Sequence, residues 1–121
     1  MGNTQNSKQY DLEPRTLKFA KDVRTFVGKL NKSAANLEDG KQLIRSSGSI
    51  GANYIEANES LGKRDFAMRI KICRKEAKES RFWLKLLDTQ QDSEIQRRCS
   101  ELEKEADELL KIFSAIVQKV Q

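Results

Sequence analysis

Apolar side chains recur along this chain at alternating intervals of four and three, most clearly near the C terminus. Ile95, Cys99, Leu102, Ala106, Leu109, Phe113, Ile116 and Val120 mark one such stripe. A stripe of this kind is the seam of a helix lying nearly parallel or antiparallel to its neighbours. Asp92 or Ser93 suits the N-cap, where a short side-chain oxygen accepts from a free backbone N–H. The rhythm repeats upstream, in Phe66, Ile70, Cys73, Ala77, Ser80, Leu84 and Leu87, and before that in Gly40, Leu43, Ser47, Ile50, Tyr54 and Ala57. A first stripe runs through Phe19, Val23, Phe26, Val27 and Leu30, behind the lone proline, Pro14, which a helix tolerates at its first position.

The pattern predicts helices over about 15–30, 36–60, 63–87 and 92–119, behind a polar arm at 1–13. The connectors, Asn31–Ala35, Leu61–Gly62 and Asp88–Gln91, are short. Short connections force antiparallel neighbours, so residues 14–121 are expected to form an all-α, up-down-up-down four-helix bundle. One long intermolecular coiled coil is the competing arrangement, and the regular spacing of the breaks argues against it.

Composition narrows the chemistry. The 121 residues suit one domain and carry 23 Lys+Arg against 18 Asp+Glu, a net charge of +5, with two Cys and no His. There is no imidazole base, and two cysteines cannot close a four-ligand zinc site or make a disulfide framework, which points to a reducing cytoplasm. No apolar run approaches the roughly 18 residues of a membrane span, and the first residues lack the layout of a secretion signal. Cys73 and Cys99 sit on seams and read as buried thiols. The carboxylate pairs Glu101 with Glu105 and Glu103 with Asp107 lie on an acidic exterior, and the Glu-x-x-His of di-metal bundles is absent. No phosphate-binding, dinucleotide-binding or nucleophile-elbow motif occurs. An enzyme is not expected, nor a cofactor or metal.

Two features exceed what a bundle core requires. On the third helix Met68, Ile72, Phe82, Trp83 and Leu86 fall outside the core seam. An apolar set of this size marks a contact with another subunit, unless loops or the N-terminal arm cover it. On the second helix the small-residue run Ser46-Ser47-Gly48-Ser49 and Gly51-Ala52 has poor helix propensity, and close packing against a neighbour is the natural reason for it. Arg45, Ser49, Asn53 and Glu56 share another face of the same helix, as a subunit contact, a polar binding strip or an ordinary solvated surface.

The ordered set Gln42, Leu43, Arg45, Ser46, Ser49, Ile50, Ala52, Asn53 and Glu56, followed by Phe66, Glu79 and Leu84, resembles the bacterial four-helix-bundle proteins encoded in 23S rRNA intervening sequences. The resemblance spans roughly Thr16 to Val117, with one departure: Ala57 stands where a glycine usually follows the glutamate. Members are similar in fold to the accessory variability proteins of diversity-generating retroelements, which form homopentameric barrels and bind a reverse transcriptase and nucleic acid. The resemblance implies a homo-oligomer, a pentamer by that analogy. It implies RNA, DNA, a reverse transcriptase or another ribonucleoprotein component as a partner, and no catalytic activity.

Charge adds weight to a nucleic-acid partner. Residues 63–85 hold nine of the basic side chains and a net charge of +6. Arg64, Lys71, Lys75 and Lys78 project opposite the seam, with Arg74 and Arg81 on its shoulder. Such a strip attracts phosphates by releasing counterions, without reading sequence. Two functions remain open on the sequence: a non-catalytic oligomer that binds nucleic acid or a nucleic-acid enzyme, and a protein-interaction scaffold whose charge serves solubility.

Overall fold

The computed structural model describes residues 12–121. Four helices account for nearly all of them: α1 (Leu12–Gly28), α2 (Ala34–Asn58), α3 (Lys63–Leu86) and α4 (Ser93–Val120). No strand occurs among the described residues. Each helix packs on the next and α4 returns to α1, and across the centre the Tyr54 ring of α2 meets the Phe113 ring of α4 at 6.0 Å between centroids. Short loops with this contact order make the chain an all-α, antiparallel four-helix bundle.

The ends of the helices differ from the periodic reading for local reasons. The arm expected over 1–13 lies outside the described residues up to position 11, while Leu12 and Glu13 already belong to α1. Pro14 thus sits inside the first turn, where backbone N–H groups have no helical acceptor and its missing donor costs nothing. Beyond the end of α1, Leu30 still packs into the core. Ser33 caps α2 by accepting from the Asn36 N–H at 3.1 Å, and Asp92 caps α4 by accepting from the Ile95 N–H at 3.0 Å. The α3–α4 loop turns through Gln90 and Gln91, both left-handed at φ 53° and 60°. The Gln90 N–H donates to Asp88 Oδ1 at 2.8 Å, which steadies that turn.

The core is a column of Phe19, Phe26, Leu43, Ile50, Ile70, Leu84, Leu109 and Phe113, each almost wholly buried. The α4 stripe follows the sequence pattern as far as Phe113 and then shifts. Val117 fills the core, and Ile116 and Val120 are half-buried. An α-helix drifts about 20° per heptad against a strict 3.5-residue stripe, and one residue of slip at the end of a long helix follows.

The small residues of α2 divide by function. A Cβ on Gly51 would meet Thr16 Oγ1 at 2.8 Å, and one on Gly40 would meet Val27 Cγ1 at 3.0 Å, so both let α1 approach closely. Ser46 and Ser47 are fully buried, and Ser46 Oγ shares a 2.8 Å hydrogen bond with Ser80 Oγ of α3. Gly48 has nothing within 4 Å of its would-be side chain. The thin α1–α4 seam is ionic: Arg15 donates twice to Glu105, at 2.7 and 2.9 Å, and Arg98 lies 3.3 Å from Asp22.

Candidate nucleic-acid interface

A helix of 24 residues packed on two neighbours keeps roughly half its circumference for solvent, and in α3 that half is cationic. Periodicity assigns Arg64, Lys71, Lys75 and Lys78 to the outer arc at intervals of seven, four and three, and all four are exposed. Arg74, half-buried, borders them on the α4 side. None of the five has a carboxylate within ion-pair distance among the described residues. Their charge is uncompensated in a structure where most other α3 cations are engaged.

Three of the other four basic residues of α3 reach to neighbouring helices, and Lys63, exposed at the first position, has no ion pair among the described residues. Arg81 donates to Asp107 of α4 at 2.6 Å. That bond, followed by the Lys111 contact, holds the Asp107 carboxyl below the usual carboxylate range. Lys85 reaches Glu103 at 3.3 Å, and Arg69 donates to Asn53 Oδ1 of α2 at 3.0 Å. Arg81 therefore differs from the other five residues of the sequence-predicted strip: its guanidinium is tied to the next helix. A single-helix pattern could not separate it, because the register of α4 against α3 decides the pairing.

The α2 face holds to the same logic. Asn53 Nδ2 donates to Ser49 Oγ at 2.9 Å while its carbonyl oxygen accepts from Arg69, so Ser49 and Asn53 are linked to α3. Arg45 lies 3.3 Å from Glu79 and 3.6 Å from Glu76. Glu56 is exposed and has no ion pair among the described residues. Ser46 takes no part in an outer contact; it is fully buried at the α2–α3 interface by its bond to Ser80. Glu76, which the sequence reading does not single out, is 6% exposed. Its position three residues after Cys73 and four before Ser80, on the flank of the seam, was the available signal.

The second apolar face of α3 is real but uneven. Met68, Phe82 and Leu86 are 61%, 55% and 50% exposed. Ile72 is half-buried, and Trp83 packs against the core while meeting Phe82 edge-on at 5.1 Å between ring centroids.

Both cysteines are free and buried, their thiols donating to the carbonyls of Ile50 and Leu84. Burial pushes the Cys73 thiol up to about 12 and the Cys99 thiol up to about 11. The acidic pairs on α4 are consumed by cations: Glu101 by Arg97 and Arg98, Glu105 by Arg15, Glu103 by Lys85 and Asp107 by Arg81. No group of metal-ligating side chains forms among the described residues, and none of their helices is long and apolar enough to cross a membrane.

The family model of the 23S rRNA-intervening sequence proteins matches residues 8–115. The chain belongs to that family. The match takes in all of α1, α2 and α3 and most of α4, including both the cationic arc and the α2 motif face. Among solved structures, this 23S rRNA-intervening sequence protein is similar to a protein of unknown function from the S23 ribosomal protein family of Bacteroides thetaiotaomicron VPI-5482. The two share 28% identity with a TM-score of 0.75, over 87% of this chain and 96% of that one. No functionally curated protein matches the sequence.

Proposed function

We propose that this bundle is a non-catalytic nucleic-acid-binding protein that works as a homo-oligomer in the cytoplasm. Its basic arc on α3 takes the phosphate backbone. RNA is the favoured ligand, free or within a ribonucleoprotein; DNA and a reverse transcriptase are the other partners suggested by the likeness to accessory variability proteins.

One observation carries the reading: Arg64, Lys71, Arg74, Lys75 and Lys78 cluster on one helix without a carboxylate partner, while their neighbours Arg69, Arg81 and Lys85 are engaged. Cations held together without counter-charges repel one another, and a polyanion relieves that repulsion by displacing condensed counterions. The exposed Met68, Phe82 and Leu86, continuous with half-buried Ile72 and Trp83, support association of copies through α3. A ring, pentameric by the same likeness, would repeat the basic arc and multiply weak phosphate contacts through effective concentration.

The apolar face also supports a second reading, a protein-interaction scaffold whose charge serves solubility. Titrating a labelled single-stranded RNA at low salt separates the two. The nucleic-acid reading predicts retarded electrophoretic mobility that is lost on raising the salt. Mobility unchanged at every protein concentration leaves the scaffold.

A further inference from the structure

Glu76 is out of place in a bundle of this size. Its side chain is 7% exposed, yet the buried Oε1 has no hydrogen-bond partner, and the nearest cation, Arg45 Nη2, stands 3.6 Å away. The Arg45 side chain is itself 54% exposed, and its Nη2 lies nearer to Glu79. A buried carboxylate oxygen without a hydrogen-bond donor is costly, so native structures match such groups. Taken alone, this chain gives Oε1 only the 3.6 Å ion pair with Arg45 and no hydrogen bond.

The surroundings indicate what would match it. Ile72, Glu76, Glu79 and Trp83 follow one another at intervals of four, three and four, so they share the flank of α3 that faces α2. The result is an acidic socket between apolar side chains, bordered on α2 by Arg45. Phosphate is the wrong occupant, since Glu76 and Glu79 repel it. A protein surface bearing a free cation beside apolar groups is the right one.

The chain carries such a surface on its other side. Leu17 is 56% exposed on α1, and Lys21 and Arg24 follow it at intervals of four and three, neither of them in an ion pair among the described residues. On the adjoining α2, Ile55 is 49% exposed and open space stands over Gly48, a shallow floor for a bulky side chain. We propose that a second copy of the chain lays this α1–α2 outer face against the α2–α3 groove of the first and supplies the cationic hydrogen-bond donor that Glu76 lacks. The proposal rests on the association of copies argued above and names the two faces that meet. Because those faces differ, the contact is heterologous and can propagate into a ring. It leaves the α4 side of α3, with Lys71, Arg74 and Lys78, open to a polyanion.

The test is sedimentation velocity over a range of concentrations, with thermal unfolding followed by circular dichroism. It compares wild type, Glu76→Gln, a Lys21→Gln/Arg24→Gln double variant, and all three changes combined. The isosteric Glu76→Gln change is expected to weaken association by at least about 30-fold. The separated chain keeps its helicity and melts no lower than wild type, since the buried side chain no longer carries a carboxylate that lacks a hydrogen-bond donor. The double variant loses association to a similar extent, and the combination loses little more, as for groups that contact each other. Undiminished association of Glu76→Gln overturns the proposal, as do losses that simply add. A wild-type chain that remains single at every concentration overturns the association reading on which the proposal stands.

Discussion

Asn36 and Asp88, 52 residues apart, hold each other by two hydrogen bonds: Asn36 Nδ2 donates to the Asp88 carbonyl at 2.9 Å, and the Asp88 N–H donates to Asn36 Oδ1 at 3.0 Å. The same amide nitrogen also donates to the Asn31 carbonyl at 3.0 Å. Asn36 is 3% exposed, so one buried side chain stitches the α1–α2 loop to the α3–α4 loop at one end of the bundle. Replacing it with alanine removes the partner of the Asn31 and Asp88 backbone groups. Asn36→Ala is expected to lower the unfolding free energy by about 2–3 kcal/mol in urea titrations. Hydrogen exchange at the Asp88 amide should accelerate with it.

The glycines of α2 give two predictions of opposite sign. Gly51→Ala drives a methyl group into Thr16, whose hydroxyl is already fixed at 2.7 Å on the Leu12 carbonyl, so α1 must move away. A loss of about 1–3 kcal/mol is expected. Gly48→Ala meets open space and gains helix propensity, for an increase of about 0.5–1 kcal/mol. Urea unfolding of the two variants beside wild type checks both.

How much of this was legible in the sequence follows from what periodicity encodes. A stripe on one helix tells which way that helix faces, and the four stripes correctly placed Leu43, Ile50, Ile70 and Leu109 in the core. Asp92 was legible as a cap because capping is local. Relations between helices were not. The engagement of Arg81 by Asp107, the two-loop stitch of Asn36 and the stranding of Glu76 depend on the height at which one helix meets the next. No single-helix pattern states that height. The excess of positive charge on α3 was plain in the sequence, but the division into engaged and unpartnered cations needed coordinates.

Acid should loosen the α3–α4 contact. Asp107 lies below the usual carboxylate range because Arg81, and then Lys111, bond its ionised form. A depressed value in the folded state contributes stability that is complete above the unfolded carboxylate pKa, about 4, and lost as pH falls through the lower folded value. Melting temperatures measured from pH 7 to pH 2.5 should hold level down to about pH 5 and decline below about 4. Asp107→Asn should make that decline shallower. An identical acid slope in wild type and variant contradicts this role for the pair.

The central claim is that the unpartnered cations of α3, and not the engaged ones, hold a phosphate backbone. Fluorescence anisotropy of a labelled single-stranded RNA against salt concentration tests it most directly, on wild type, on Arg81→Gln, and on a variant with Lys71, Arg74, Lys75 and Lys78 all changed to Glu. Three to five phosphate contacts predict a log–log salt slope of about −2 to −3.5 for wild type. Arg81→Gln should leave the slope within about 0.5 of that value, since one contact is worth about 0.7 and Arg81 is already spoken for by Asp107. The fourfold charge reversal should abolish binding at low salt. Equal binding by the reversed variant, or none by wild type at low salt, contradicts the account.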